Sequence, residues 1–308
     1  MGSLHARVVA GSERARLVAV VDPDERVGRP TAERYGARWA PVLEDALDVD
    51  AVVVAAGTRL HRDIGGRVLD HGLPLLMEKP LADSLPDARD LVLQSEKLGV
   101  PLTCGLLERY NPGILTAMSL LEEPLHVTAQ RHSPYAARIR SGVATDLLIH
   151  DADIAVRMMG AEPVLVRGSF GCLHPDSDAG SEDVAEALLT FGTGAIAHLS
   201  ASRMSQRKVR SFAVSELNRL VEVDMLRNTV TLYQHVVDDS PGQGTTYKQQ
   251  TIIEIPQLVS GREPLAAQLD HFVDLARGDA DADVERAGIL PAHRVVDAAR
   301  HAARVPGA

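Results

Sequence analysis

The pattern of apolar and polar positions changes character near residue 104. Before it, short apolar runs alternate with longer mixed segments. Leu17 to Val21 is an apolar, β-branched run that ends at Asp22. Residues 51–55 and 75–77 are continuously apolar, and a third short run leads from Pro101 to Cys104. Continuous apolar strands, rather than alternating ones, indicate burial on both faces, as in a parallel sheet. Between them lie helical segments with glycine stops: residues 24–35 before Gly36, 60–71 before Gly72 and 85–98 before Gly99. Residues 42–47 and 3–10 also read as helical. Strand and helix in alternation predict a doubly wound α/β domain over residues 1–103.

After residue 104 the order changes. A helix to about Leu121 and a strand at 126–130 lead to a helix from Asp146 to near Gly160. Residues 164–170, 185–191, 195–202, 208–214, 219–223 and 229–233 then read as strands, with Phe191-Gly-Thr-Gly194 as a hairpin turn. Residues 237–250 are polar and glycine-rich and read as a mobile loop. Pro264 opens a helix to about Arg277, 279–283 reads as an acidic linker, and a last helix spans 290–303. Strands in runs predict an α+β domain over 104–308: a mostly antiparallel, open-faced sheet with a helix on one face. Its C-terminal helices are free to pack back on the first domain.

Composition narrows the function. A net charge of −10 disfavours a nucleic-acid backbone as partner, and 3% aromatic content leaves few stacking platforms for bases. No apolar run has the length of a membrane span, and the N-terminus lacks the charged and apolar regions of a secretory signal. Met1-Gly2 does not make a myristoylation site, because position 6 is Ala. Cys104 and Cys172 are the only cysteines, too few for a disulfide scaffold or a cysteine zinc site. A cytoplasmic protein with a small-molecule substrate is expected, with no metal, nucleic acid or membrane partner.

Candidate chemistry gathers at a few points. Asp146 and His150, four apart on a helix, share a face, so the carboxylate can orient the imidazole as a general base requires. A surface ion pair would show the same spacing. Lys79 follows a strand and precedes Pro80, which restricts the local backbone. Asp22 ends a strand, where an acidic residue hydrogen-bonds the adenosine ribose of NAD and repels the 2′-phosphate of NADP. It reads equally well as a helix cap or turn in Asp22-Pro23-Asp24. Gly2 fits the last glycine of a G-x-G-x-x-G turn, with no first strand before it; a late start, or the lack of a pyrophosphate cradle, would each account for that. Arg138 and Arg140, in the basic loop before the Asp146 helix, and Arg203, in Ser202-Arg-Met-Ser-Gln-Arg-Lys208, could hold an anionic substrate group or be solvated loop residues.

Taken in order, these segments resemble the glucose–fructose oxidoreductase / inositol dehydrogenase (Gfo/Idh/MocA) family. The resemblance rests on Leu17-Val-Ala-Val-Val-Asp22, Ala55-Ala-Gly-Thr58-Arg-Leu-His61 (Gly57 stands where proline is usual), Glu78-Lys79-Pro80, Gly105-Leu-Leu-Glu108-Arg109-Tyr-Asn111-Pro112 and Asp146-x-x-x-His150. It implies a Rossmann-like domain lacking its first strand and an NAD-dependent oxidoreductase acting on a sugar, nucleotide sugar or cyclitol. By the same resemblance, Lys79 binds the substrate oxygen, His150 takes the hydroxyl proton and Asp146 orients the site. Gly2, Asp22, Thr58, His61, Glu78 and Lys79 face the cofactor, and Arg109 faces the substrate. It also implies a substrate held between the two domains, a cis bond before Pro80, and a homodimer or homotetramer formed through the second-domain sheet. Two alternatives stand beside it: a glycosidase of the same family that uses NAD transiently, and a non-catalytic partner or sensor of the same fold.

Overall fold

The structure, a computed structural model, describes residues 1–136, 139, 141–178, 180–238 and 248–303. The chain divides into two compact units: Met1–Tyr110 with Arg262–His293, and Asn111–Gly261 with Arg294 onward. The expected boundary at 103/104 falls short of this division. Residues past β-strand 102–104, among them Leu106 and Arg109, are buried and stay with the first unit.

The first unit opens with α1 (Gly2–Ala10), β1 (Ala19–Val21), α2 (Glu25–Arg34), β2 (Arg38–Ala40) and β3 (Val52–Val54). It continues through α3 (His61–Asp70), β4 (Leu75–Met77), α4 (Leu85–Leu98) and β5 (Leu102–Cys104). All strand pairs are parallel, in two sheets: β1 with β2, and β3-β4-β5. Every β4 side chain is buried, as a strand covered on both faces requires. Helix ends follow local chemistry. Asp24 and Ser84 cap α2 and α4 by accepting the N–H of Arg26 and Asp87, and Gly99 closes α4 at φ +66°.

The second unit begins with α5 (Pro112–Leu120) and β6 (His126–His132). A wide, π-helical turn at Ala144–Leu148 then leads into α6 (Ile149–Met159). Seven strands follow: β7 (Leu165–Gly171), β8 (Val184–Thr190), β9 (Ile196–Ser202), β10 (Val209–Ser215), β11 (Arg219–Asp224), β12 (Thr229–Asp238) and β13 (Lys248–Glu254). They form one sheet with β6, in the order β13-β12-β11-β10-β6-β9-β8-β7, antiparallel except for β6 beside β9. Val127, Ala129, Leu199, Phe212 and Val221 bury one face. The other face carries Thr128, Gln130, Ser211, Glu222 and Thr231 in an open groove. Alternation of this kind marks a sheet packed on one side only.

The C-terminal helices are α7 (Pro264–Arg277), α8 (Ala282–Ala287) and α9 (Leu290–Ala303). α7 and α8 belong to the first unit. There Leu265, Leu269 and Phe272 pack with Val8 of α1 and Leu76 of β4.

Two expectations need correction, and one strand goes unsignalled. The stretch 237–250 is not a single loop: β12 runs to Asp238 and Lys248 opens β13, paired through Asp238–Lys248 and Leu232–Glu254, while 239–247 lie outside the described residues. The acidic stretch 279–283 is not only a linker, because Asp281 caps α8 through the N–H groups of Asp283 and Val284. Arg38–Ala40, polar at its exposed end, is a strand the apolar pattern does not signal.

Candidate functional site

In the first unit, β4 delivers Glu78, Lys79 and Pro80, and the Lys79–Pro80 bond is cis. Glu78 donates its N–H to the Val54 carbonyl, extending the β3–β4 ladder by one residue. Its side chain is 7% exposed and turns inward, with Oε1 2.8 Å from His5 Nε2 of α1 and Oε2 accepting the Lys79 N–H at 3.2 Å. Gly105, just past β5, leaves room for this carboxylate: a Cβ there would come within 2.9 Å of Oε2 and 3.0 Å of Glu78 Cα. Lys79 is half-buried.

Two more buried histidines hold the same loop. His61, 1% exposed at the start of α3, has Nδ1 2.8 Å from the Pro80 carbonyl and Nε2 3.0 Å from the Ala56 carbonyl. His293 Nε2 accepts the Leu81 N–H at 2.9 Å, so its Nδ1–H donates to the Ile289 carbonyl at 2.9 Å. His61 therefore ties two backbone segments together. Both ring nitrogens face main-chain carbonyl oxygens, to one of which the neutral ring donates.

At the other strand ends, Gly2 is the first residue of α1, and a Cβ on it would lie 4.0 Å from that of Ala55. Asp22 follows β1. Its Oδ1 accepts the Asp24 N–H at 2.9 Å and its carbonyl accepts the Trp39 indole N–H at 3.0 Å. Asp24, not Asp22, caps α2. Thr58 starts a short 3₁₀ turn after β3 and is half-buried.

Arg109 is turned into the first unit. It is 7% exposed and donates to Glu285 Oε1 at 3.3 Å and to the Gly288 carbonyl at 2.6 Å. Thr103 and His271 also bond Glu285, at 2.7 and 3.2 Å. Burial pushes the Glu285 carboxyl up, but the His271 hydrogen bond, the Arg109 charge and the Thr103 hydroxyl outweigh it and hold it below the usual range.

In the second unit, Asp146 lies in the π-helical turn and His150 in the first turn of α6, both half-buried. The turn differs from the regular helix that the i, i+4 spacing presumes, and its start is pinned from outside. Glu182 Oε1 accepts the Ala144 N–H at 3.1 Å and an Arg300 N–H at 2.6 Å, while the Glu182 carbonyl accepts the Val143 N–H. A side chain at Gly142 would overlap the Glu182 carboxylate. Arg203 Nη2 donates to Asp146 Oδ2 at 2.6 Å and Nη1 to the Ser141 carbonyl at 2.5 Å. With a side chain 4% exposed, Arg203 is committed to Asp146 and the Ser141 carbonyl and is not a solvated loop residue. Next to it, Asp183 is held below the usual carboxylate range: burial raises it, but the N–H groups of His174 and Leu173 and the Ser177 hydroxyl outweigh burial. Arg131 and Asp151 make a buried pair at 2.7 Å that fixes α6 to β6. Arg138 and Arg140 lie outside the described residues. Among the described residues, no group of three His, Cys, Asp or Glu could hold a metal ion, and no helix is long and apolar enough to cross a membrane.

His5, His293, Glu182 and Glu285 escape the sequence reading. Their partners are distant in the chain, as with His5 and Glu78, 73 residues apart, so no local spacing marks them.

Residues 1–106 match the oxidoreductase family with an NAD-binding Rossmann fold, and residues 117–215 match the GFO/IDH/MocA C-terminal domain. The chain is 27% identical to the UDP-N-acetylglucosamine 3-dehydrogenase of Acidithiobacillus ferrooxidans over 277 residues, covering 89% of this chain and 85% of that one. It is 32% identical to the myo-inositol dehydrogenase Hyg17 of Streptomyces leeuwenhoekii over 220 residues, 66% and 67% of the two chains. Among solved structures, GenD2 from gentamicin A biosynthesis, in complex with NAD, superposes with a TM-score of 0.81 at 26% identity, over 98% of this chain and 91% of that one. In sequence, in both matched domains and in fold, the chain belongs to the GFO/IDH/MocA oxidoreductase family, with an NAD-binding Rossmann fold in its first unit.

Proposed function

We propose that this protein is an NAD-dependent dehydrogenase that oxidises a ring hydroxyl of a nucleotide sugar or related sugar or cyclitol, with Lys79, Asp146 and His150 as its catalytic set. The observation that carries the reading is the Glu78–Lys79–Pro80 loop. One half-buried lysine, held at Glu78, Pro80 and Leu81 by buried side chains, stands at the carboxyl end of a central parallel strand, where ligands of such sheets bind. The UDP-N-acetylglucosamine 3-dehydrogenase relative, matched over most of both chains, supports the nucleotide-sugar class.

The first unit fits a dinucleotide. Gly2 opens α1, no side chain caps that helix, and no acidic residue lies in its first turn, so its first N–H groups suit a pyrophosphate. Asp22 spends Oδ1 on the Asp24 N–H, and Oδ2 has no partner among the described residues, which suits a ribose hydroxyl and opposes a 2′-phosphate. NAD, when bound, supplies the acceptor for the hydride leaving the substrate carbon. The protein's part is proton handling and charge. Lys79 donates to the substrate oxygen and offsets its developing negative charge, and the His150 imidazole takes the hydroxyl proton. Asp146, held by Arg203, keeps that imidazole oriented. Assembly into a dimer or tetramer through the open face of the large sheet completes the reading.

The test is NADH formation with a panel of UDP-sugars and inositols, with NAD and NADP compared. Wild-type turnover with NAD, lost by about 10²-fold or more in Lys79→Ala and in His150→Ala, is the expected result. Full turnover in either variant overturns the assignment. Glycoside cleavage without net NADH would favour the glycosidase chemistry of the same family.

A further inference from the structure

We infer that His5 is a positioning residue that links occupancy of the α1 N-terminus to the placement of Lys79. The inference rests on the reading of Lys79 as the substrate-binding lysine. Three buried histidines hold the Glu78–Leu81 loop, but their attachments differ. His293 accepts the Leu81 N–H and donates to the Ile289 carbonyl, and His61 lies within hydrogen-bond distance of the Pro80 and Ala56 carbonyls. These two fix the loop to the scaffold. His5 instead bonds a side chain, Glu78 Oε1, at 2.8 Å with both groups under a tenth exposed, and the other oxygen of that carboxylate takes the Lys79 N–H.

His5 stands three residues after Gly2, one turn from the end of the helix suited to a pyrophosphate. α1 is only nine residues long; apart from His5 it is held by buried Ala6, by Val8 and Val9 on the apolar cluster, and by an exposed Arg7–Glu263 pair. A short helix is marginal by itself, so a phosphate docked at its first turn restricts its position. Through His5 that restriction passes to the Glu78 carboxylate, and through Glu78 to the Lys79 peptide. Gly105, by lacking a side chain, lets the carboxylate take this position, since a Cβ there would come within 2.9 Å of Oε2. His5–Glu78–Lys79 is therefore a hydrogen-bonded path from the cofactor helix to the lysine's own peptide.

The probe is ADP-ribose, which carries the pyrophosphate and adenosine but no nicotinamide ring to cover the lysine. Lys79 acetylation by acetic anhydride is followed by peptide mass spectrometry, with exposed Lys97 and Lys208 as internal references. In the wild type, saturating ADP-ribose changes the Lys79 rate relative to the references by about fivefold, the low end of usual coupling between sites. His5→Leu and His5→Asn, the latter polar but too short to reach Glu78, abolish the response. His5→Gln, whose amide nitrogen reaches the place of Nε2, keeps it. Thermal unfolding shows which variants are folded; if His5→Leu is not, His5→Asn decides. An unchanged Lys79 rate in the wild type, or a full response in His5→Asn, overturns the inference. Because the readout needs no turnover, it is independent of whether Lys79→Ala abolishes catalysis.

Discussion

Arg203 shows how a basic side chain can be committed wholly inside its own unit. Its guanidinium divides its donors between Asp146 and the Ser141 carbonyl, and its own N–H binds the Asp183 carbonyl. A fork of this kind sets direction as well as charge, which a lysine ammonium does not. If Arg203 held substrate, its loss would raise KM with kcat little changed; under the proposed catalytic role of Asp146, its anchor acts on kcat. Steady-state kinetics of Arg203→Lys and Arg203→Met are therefore expected to show kcat down by about 10²-fold in Met, with KM within a few-fold, and partial rescue in Lys. The spacing of Asp146 and His150 is visible in the sequence. Arg203, 57 residues beyond Asp146, is visible there only as a basic residue with two possible uses.

Among the elements, α8 is attached through a buried charge. It is six residues long, too short to stand on helical propensity. Glu285 holds it through Thr103 of β5, Arg109 and His271. Removing Arg109 leaves a buried carboxylate without its cation, so Arg109→Ala is expected to cost about 3–5 kcal/mol in chemical denaturation. The pH dependence has a definite sign. The Glu285 carboxyl titrates lower in the folded chain than the value of about 4.3 expected when unfolded, so its contribution is complete above that value. It is lost as pH falls through the lower, folded value. The stability gap between wild type and Glu285→Gln should shrink on acidification through this range, and a gap that widened would contradict the assignment. Nothing in the acidic stretch 279–283 announces this role, because Asp281 and Asp283 serve the helix end while Glu285 turns inward.

For the molecule as a whole, chain order and folded unit do not coincide. The first unit takes back 262–293 after the chain has built the second. Leu265, Leu269 and Phe272 of α7 complete a cluster that Val8 and Leu76 cannot close alone. A fragment of residues 1–110 is accordingly expected to lack a cooperative thermal transition, and one carrying 262–293 on a flexible linker to regain it; a sharp transition in the short fragment would show that α7 is dispensable. What the sequence determined by itself is what local pattern encodes. Continuous apolar runs give the parallel strands, strands in unbroken succession give the antiparallel sheet, glycine stops give the helix ends, and the short motifs give Lys79, Asp146 and His150 as candidates. Only the tertiary structure decided which charged residues are anchors. It buried Arg109 and Arg203 on carboxylates, set three histidines around one loop, and paired β13 with β12. Burial and pairing across tens to hundreds of residues depend on which surfaces meet, and no residue's neighbours in the chain record that.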